Sequence, residues 1–242
     1  FFLTHPNIIK IICHDIGKHL GCYGVKSVST KAIDALAKNG ILFENSYATS
    51  PGCSPSRAAI ATGLYPHNNG VLGLAHAHFG WSLDKKVNHI AKHFFKNNYS
   101  SILFGLQHVT YNEKTLGFKK IFPERPADAV VKNIKENIDS NLFKKPFYAE
   151  INFFEPHRPF DFGGVKPFKS KGISVPKYIP NNHDTRKEFA SMQGAIKKMD
   201  DSVAKIINIL KRKNLYENTI ILFTTDHGIP FPRAKGTLYD AG

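Results

Sequence analysis

Short runs of β-branched and aromatic residues alternate along this chain with longer stretches whose apolar positions recur every three or four residues. The first run, Asn7-Ile8-Ile9-Lys10-Ile11-Ile12-Cys13, reads as a buried, parallel-type strand. A helix follows over 30–39, with Ser29 or Thr30 as cap, Ile33, Leu36 and Ala37 as its apolar positions and Gly40 as its stop. Ile41-Leu42-Phe43 predicts another short strand, and Tyr65-Pro66-His67-Asn68-Asn69-Gly70 is turn chemistry. Further on, the pattern predicts an amphipathic helix over 87–97, a strand over 101–104 and a helix over 127–138 carrying Val130, Val131, Ile134 and Ile138. A strand over 147–154 comes next. Pro and Gly are then dense from 160 to 183, where periodicity is lost and a long site-shaping loop is expected. The longest helical stripe covers 184–213, with Phe189, Met192, Ile196, Val203, Ile206, Ile207 and Leu210 as core positions, and a buried strand over 219–224 follows it.

Strands alternating with helices predict an α/β fold, a mostly parallel central sheet with helices on both faces. No internal repeat, low-complexity tract or linker divides residues 1–242, so one domain is expected. The polar residues fall in a pattern of their own. Asp15, His108, His157, Asp226 and His227 each follow the carboxyl end of a predicted strand. One such residue is commonplace, and Asp15 alone reads equally well as a turn residue before Gly17. Four strands delivering acids and imidazoles to one sheet edge is the arrangement of an active site.

Composition changes this picture little. The chain is 42% hydrophobic, enough for one sizeable core, and no stretch approaches the roughly 18 apolar residues of a membrane-spanning helix. Cys13, Cys22 and Cys53 are odd in number and form no Cys-x-x-Cys pair, which argues against a disulfide framework or a zinc knuckle. The formal charge of +14 suits a polyanionic partner such as a sulfated glycan. Of the 33 basic residues, however, 27 are Lys and six Arg, the wrong balance for bidentate phosphate or base recognition, so no nucleic-acid role is expected. The chain opens at Phe1 and reads as a fragment of a longer protein; periplasmic, secreted and cytoplasmic locations all stay open.

The densest chemistry lies in Cys53-Ser54-Pro55-Ser56-Arg57, running into Ala58-Ala59-Ile60-Ala61-Thr62-Gly63. Pro55 and Ser56 suit a helix start, which puts Cys53 just before a helix N-terminus, where free N–H groups favour an anion. Arg57, one turn on, adds a planar fork for tetrahedral oxyanions. A small buried Cys at a turn is the competing reading.

These five residues match Cys-x-Pro-x-Arg. Together with Ile11-Ile12-Cys13-His14-Asp15-Ile16-Gly17, Pro156-His157-Arg158-Pro159 and Thr225-Asp226-His227-Gly228, they resemble the sulfatase family of the alkaline phosphatase superfamily. Gly105-Leu106-Gln107-His108-Val109 and Asp226–Pro232 look most like the heparan N-sulfatase (sulfamidase) branch and its bacterial relatives. The resemblance implies a sulfatase-like fold, with 1–242 as the N-terminal catalytic part and the C-terminal subdomain missing. It also implies that a formylglycine-generating enzyme converts Cys53 to formylglycine, whose hydrate supplies the nucleophile. Asp15 and Asp226 match ligands of one divalent ion, with His14 and His227 in the neighbouring ligand positions and residue 53 beside them. His108 matches the base near formylglycine, His157 and Lys235 match groups that bind sulfate and assist the leaving group, and Arg57 matches the Arg that steadies the modified residue. The implied activity is hydrolysis of sulfate esters or sulfamates of sugars, possible substrates including N-sulfoglucosamine, as in glycosaminoglycan degradation.

Three departures from the family pattern bear on the chemistry. His14 stands where many sulfatases have Asp and His227 where many have Asn, which shifts the expected ion from calcium toward Mn or Zn. Leu106 stands where the family often has Lys; Lys18 could restore that charge, and Gln107 could supply a hydrogen bond. The pair Asp226-His227 also resembles phosphonate monoester hydrolases, so a phosphonate or phosphodiester hydrolase is a second reading. A catalytically silent homologue that binds sulfated glycans is a third.

Overall fold

The computed structural model describes residues 5–76, 78, 80–144, 146–239 and 242. Its centre is a five-stranded sheet: β1 (Asn7–Cys13), β2 (Ser100–Gly105), β3 (Lys120–Phe122), β4 (Phe147–Asn152) and β5 (Thr219–Thr225). The strand order is β3-β2-β4-β1-β5 and every pairing is parallel. Parallel strands need crossovers. These carry α1 (Lys31–Asn39), α2 (Cys53–Thr62), α3 (Pro66–Asn69), α4 (Ile90–Lys96), α5 (Ala127–Asn137) and α6 (His183–Arg212).

Register sorts the strand residues onto two faces. Ile11 lies opposite Ile151 and Phe223, and Ile151 opposite Phe104; this face joins Val130 and Ile134 of α5, Ile33 of α1 and the buried stripe of α6 in one hydrophobic cluster. On the other face Lys10 lies opposite Glu150, and α4 covers it, with Phe94 stacked on Tyr148 at 4.6 Å. Helices therefore lie on both faces. Two helices are started by carboxylates from elsewhere in the chain. Asp200 of α6 accepts from Ala32 N and Ile33 N of α1, and Glu155 accepts from Ala127 N of α5.

Several expectations need correction. Residues 41–43 form no strand: Ile41 and Phe43 are exposed, and no neighbouring strand supplies a ladder. The helix expected over 87–97 forms only from Ile90, where His89 caps it through Nδ1. Cys53 is the first helical residue of α2 rather than the residue before it, because Gly52 takes the extended cap conformation and Pro55 fits inside the first turn. The 219–224 strand is not buried throughout. It forms the sheet edge, with Ile220 and Leu222 at 55% and 45% exposure on the Lys10 face. Among the described residues no helix is long and apolar enough to cross a membrane.

Candidate active site

Because all the strands run in one direction, their carboxyl ends share an edge, and the loops after β1, β2, β4 and β5 carry Asp15, His108, His157 and Asp226-His227 to it. Two of these residues sit in left-handed backbone, Asp15 at φ 52° and His108 at φ 60°, a conformation that costs about 1–3 kcal/mol and is kept where the surroundings dictate it. Gly105, at φ 88°, ends β2 where any Cβ would lie 1.9 Å from Asn152 O, so only glycine lets the His108 loop leave the sheet here. The loops after β1 and β5 are tied backbone to backbone: Gly17 N donates to His227 O at 3.0 Å and Asp226 N to Cys13 O at 3.2 Å.

Asp226 is the hub. Its Oδ1 accepts from Asp15 N at 2.9 Å and His227 N at 3.0 Å, while its Oδ2 receives Arg57 Nε at 3.0 Å and lies 2.9 Å from His14 Nδ1. Burial alone would raise its pKa, yet His14 and the Arg57 guanidinium hold it well below the carboxylate range. Arg57 also donates to Cys13 O at 3.4 Å. Its carboxylate partner is Asp226, and Nη1 is buried with no hydrogen-bond partner among the described residues. Asp15, wholly buried, takes Lys235 Nζ on Oδ2 at 2.8 Å and faces His227 Nε2 with Oδ1 at 3.1 Å. Although burial pulls Lys235 down, Asp15 and Cys53 raise its pKa and keep it cationic.

Cys53 Sγ lies 3.3 Å from His227 Nε2 and 3.9 Å from Asp15 Oδ1. Burial, with Asp226 and Asp15 nearby, pushes its thiol up to about 12, so the unmodified side chain is a neutral thiol and a poor nucleophile. Burial and Arg57 lower His14 to about 4 and His108 to about 2, so both imidazoles are neutral. His108 Nδ1 is buried with no partner among the described residues, and its Nε2 meets His76 Nδ1, the two rings stacked at 4.5 Å.

His227 Nδ1 bonds Gly228 O at 3.0 Å, and His157 Nδ1 bonds Arg158 O. A carbonyl only accepts, so both rings carry a proton on Nδ1 and turn Nε2 toward Asp15. That is how a histidine is presented to a metal or to a proton in transit. Among the described residues, two overlapping groups could hold a cation, each with its ligand atoms within 4.8 Å of one another: Asp15, Cys53, Asp226 and His227, and His14, Asp15, Cys53 and His157. Two buried carboxylates with imidazoles beside them fit a divalent ion. The second group adds His157, which the sequence reading had reserved for the leaving group.

The structure does not turn Lys18 or Gln107 toward this site. Lys18 is exposed over the Tyr23 ring, and Gln107 closes its own loop through Val109 N, Thr110 N and Thr110 O. The sequence reading missed His76, which reaches His108 from a loop tied to α2 by Ala75 N donating to Ser54 Oγ, and it gave Glu155 and Arg158 no role although both flank His157.

The chain has known relatives. The "Sulfatase" family model matches residues 6–241. N-sulphoglucosamine sulphohydrolase of Homo sapiens is 24% identical over 98% of this chain and 53% of its own length, so the chain spans about half of that relative. The crystal structure of Ps i-CgsB superposes with a TM-score of 0.77 at 24% identity, over 99% of this chain and 64% of that one. The phosphonate monoester hydrolase of Agrobacterium radiobacter superposes at 0.75 with 20% identity, over 98% of this chain and 66% of that one, so it shares this fold. With nearly its whole length matched by the family model, the chain belongs to the sulfatase family.

Proposed function

We propose that this chain carries the catalytic centre of a formylglycine-dependent sulfatase acting on sulfate esters or sulfamates of sugars, with N-sulfoglucosamine as the first substrate to test. The observation that carries the reading is the position of Cys53. It opens α2, whose free N–H groups favour an anion, and its Sγ is surrounded by Asp15, His227, Asp226 and Lys235 in a family whose members modify this residue. Converted to formylglycine, residue 53 would supply a hydrated aldehyde with two hydroxyl groups. A divalent ion held by Asp15, Asp226 and His227, with His14 beside them, would supply Lewis acidity; the imidazoles favour Mn or Zn over calcium.

The chain's own residues divide the remaining work. Lys235 stays cationic between Asp15 and His157, placed to bind a sulfate oxygen. His157 holds its Nδ1 proton on the Arg158 carbonyl and faces the Lys235 ammonium with Nε2, so the proton that would pass to the departing amine or alkoxide comes from Lys235 through Nε2, and solvent later returns it to the lysine. His108, neutral and with its ring 6.2 Å from that of His14, would act as the base toward residue 53. Arg57 fixes Asp226 and lends positive charge to the floor.

The experiment is mass spectrometry of the Cys53 peptide after co-expression with a formylglycine-generating enzyme, followed by a panel of N-sulfoglucosamine, a sugar O-sulfate and a phosphonate monoester. Loss of the thiol mass with turnover of a sulfated sugar is expected. A thiol intact throughout removes the mechanism. Dominant phosphonate cleavage would favour the second reading, which the Asp226-His227 pair and the shared fold of the phosphonate hydrolase support. Metal analysis of the purified protein should find a transition ion competing with calcium.

A further inference from the structure

His157 sits in a loop, yet its ring is fixed to within hydrogen-bond distance of Lys235 Nζ, at 3.2 Å. Two neighbours hold that loop. Ahead of it, Glu155 is 2% exposed and its carboxylate caps α5 at Ala127 N. Behind it, Arg158 reaches two other segments and an aromatic ring of its own loop. Its Nε donates to Pro230 O at 3.2 Å, its Nη1 pairs with Glu188 of α6, and its guanidinium carbon lies 4.5 Å from the Phe160 ring and 4.9 Å from the Phe231 ring. Phe231 is in turn stacked on Phe189 of α6 at 4.2 Å. Pro230 and Phe231 belong to the loop that carries Lys235, and Lys235 N donates to Ile229 O within it.

We propose that Arg158 is the positioning residue for His157: it fastens the loop after β4 to the loop after β5 and so sets His157 Nε2 against Lys235. An exposed Arg–Glu pair alone contributes little and has no bearing on the site. The bond to Pro230 O and the two ring faces make the difference, because they span the two loops whose residues must meet. A lysine could keep the charge but not the planar fork between the rings. The inference rests on reading His157 as the proton donor to the leaving group.

That dependence supplies the test. The complete natural protein, converted at residue 53, is compared with Arg158→Leu, Arg158→Lys, His157→Ala and the Arg158→Leu/His157→Ala double variant, using 4-nitrophenyl sulfate and N-sulfoglucosamine. Nitrophenolate leaves without a proton; a sugar amine does not. Arg158→Leu should lower kcat on N-sulfoglucosamine by roughly tenfold or more, short of the ~100-fold or greater loss of the acid itself. The same change should leave 4-nitrophenyl sulfate within about twofold. Arg158→Lys should fall with it, and the double variant should be no worse than His157→Ala. Equal losses on both substrates, or additive losses in the double variant, overturn the proposal.

A second readout needs no turnover. The His157 Nδ1 proton, held on the Arg158 carbonyl, should give a downfield imidazole resonance that is absent in His157→Ala and lost or broadened in Arg158→Leu. If neither sulfate is hydrolysed by the parent, the functional reading fails. The resonance still decides the positioning role, and an unchanged signal in Arg158→Leu refutes it.

Discussion

The two faces of the sheet are built on opposite principles. On one, Ile9, Ile11, Ile102, Phe104, Ala149 and Ile151 meet α1, α5 and α6 in a continuous apolar cluster. On the other, the same strands turn Lys10, Glu150 and Asn152 inward. Glu150 accepts from Tyr148 OH at 2.7 Å and Asn152 Nδ2 at 3.1 Å, and it lies 2.8 Å from Lys10 Nζ and 3.8 Å from His89 Nε2. Burial alone would raise Glu150, but Lys10 and His89 hold it down to about 2, so an ionised carboxylate lies beneath α4. The helix that opens with Cys53 packs on this side, through the small cluster of Ala58, Val71, Val109 and Leu116 with Phe118 beside it. The apolar face gains stability from area removed from water. The polar face gains definition instead, since each buried group accepts few arrangements, and it lies under the elements that must be placed accurately.

The sharpest break between the two is expected at residue 53. Cys53→Ala should remove turnover by ~10⁴-fold or more, as loss of a nucleophile does, while shifting unfolding free energy by only about 1 kcal/mol. Steady-state kinetics and urea unfolding on one preparation check both halves. A large loss of stability would mean that the Cys53 helix is part of the core after all.

Next in size are substitutions within the faces. Phe104 is buried and stacked on Phe122 at 4.9 Å; Phe104→Ala should cost about 3–5 kcal/mol by leaving a cavity. Glu150→Gln should cost a similar amount, ~3–5 kcal/mol, by stranding the Lys10 charge. The faces then part company in the paired change. Lys10→Met with Glu150→Met should recover most of the loss, because well-packed apolar residues can replace a buried ion pair, whereas no second truncation rescues Phe104. Urea unfolding of the single and double variants decides it; a double variant as unstable as the singles would show the ion pair to be a net source of stability.

The apolar face was the more legible of the two in the sequence. The α6 stripe from Phe189 to Leu210 and the α5 positions Val130, Val131 and Ile134 have the helical spacing that burial demands, and all but the half-buried Ile207 are buried. The carboxyl-edge residues were legible for a different reason: Asp15, His108, His157 and Asp226 each stop an apolar run, so the end of the strand gives the address. What did not show were partnerships across the fold. Asp200 lies inside a helical stripe, and its α1 target is 168 residues away along the chain. Glu150 interrupts a strand with no sign that Lys10, on another strand, faces it. His76 belongs to a Gly- and His-rich loop without periodicity. The strand expected over 41–43 failed for the complementary reason, since three apolar residues state a preference that only a neighbouring strand can satisfy.

The smallest predicted effect concerns a polar residue within the apolar cluster. His19 is buried at 7% exposure, its ring lies 5.5 Å from that of Phe189, and its Nε2 has no hydrogen-bond partner among the described residues. Burial lowers its pKa to about 4, against 6.5 for the free side chain. The unfolded chain therefore takes up a proton as pH falls through 6.5, while the folded chain declines it until about pH 4. Stability from this group is complete above pH 6.5 and is lost progressively between pH 6.5 and 4, reaching at most roughly 2 kcal/mol at pH 5. His14 and His89, also lowered to about 4 chiefly by burial, add losses of the same sign, so the parent should destabilise steeply over this range. His19→Leu removes one titrating group from the apolar side and leaves the polar face and the site untouched. Its unfolding free energy should fall less between pH 7.5 and 5 than the parent's, by up to about 2 kcal/mol. Identical pH slopes in the two proteins would mean that His19 is hydrated or paired in solution, and that the apolar face is less dry than its packing indicates.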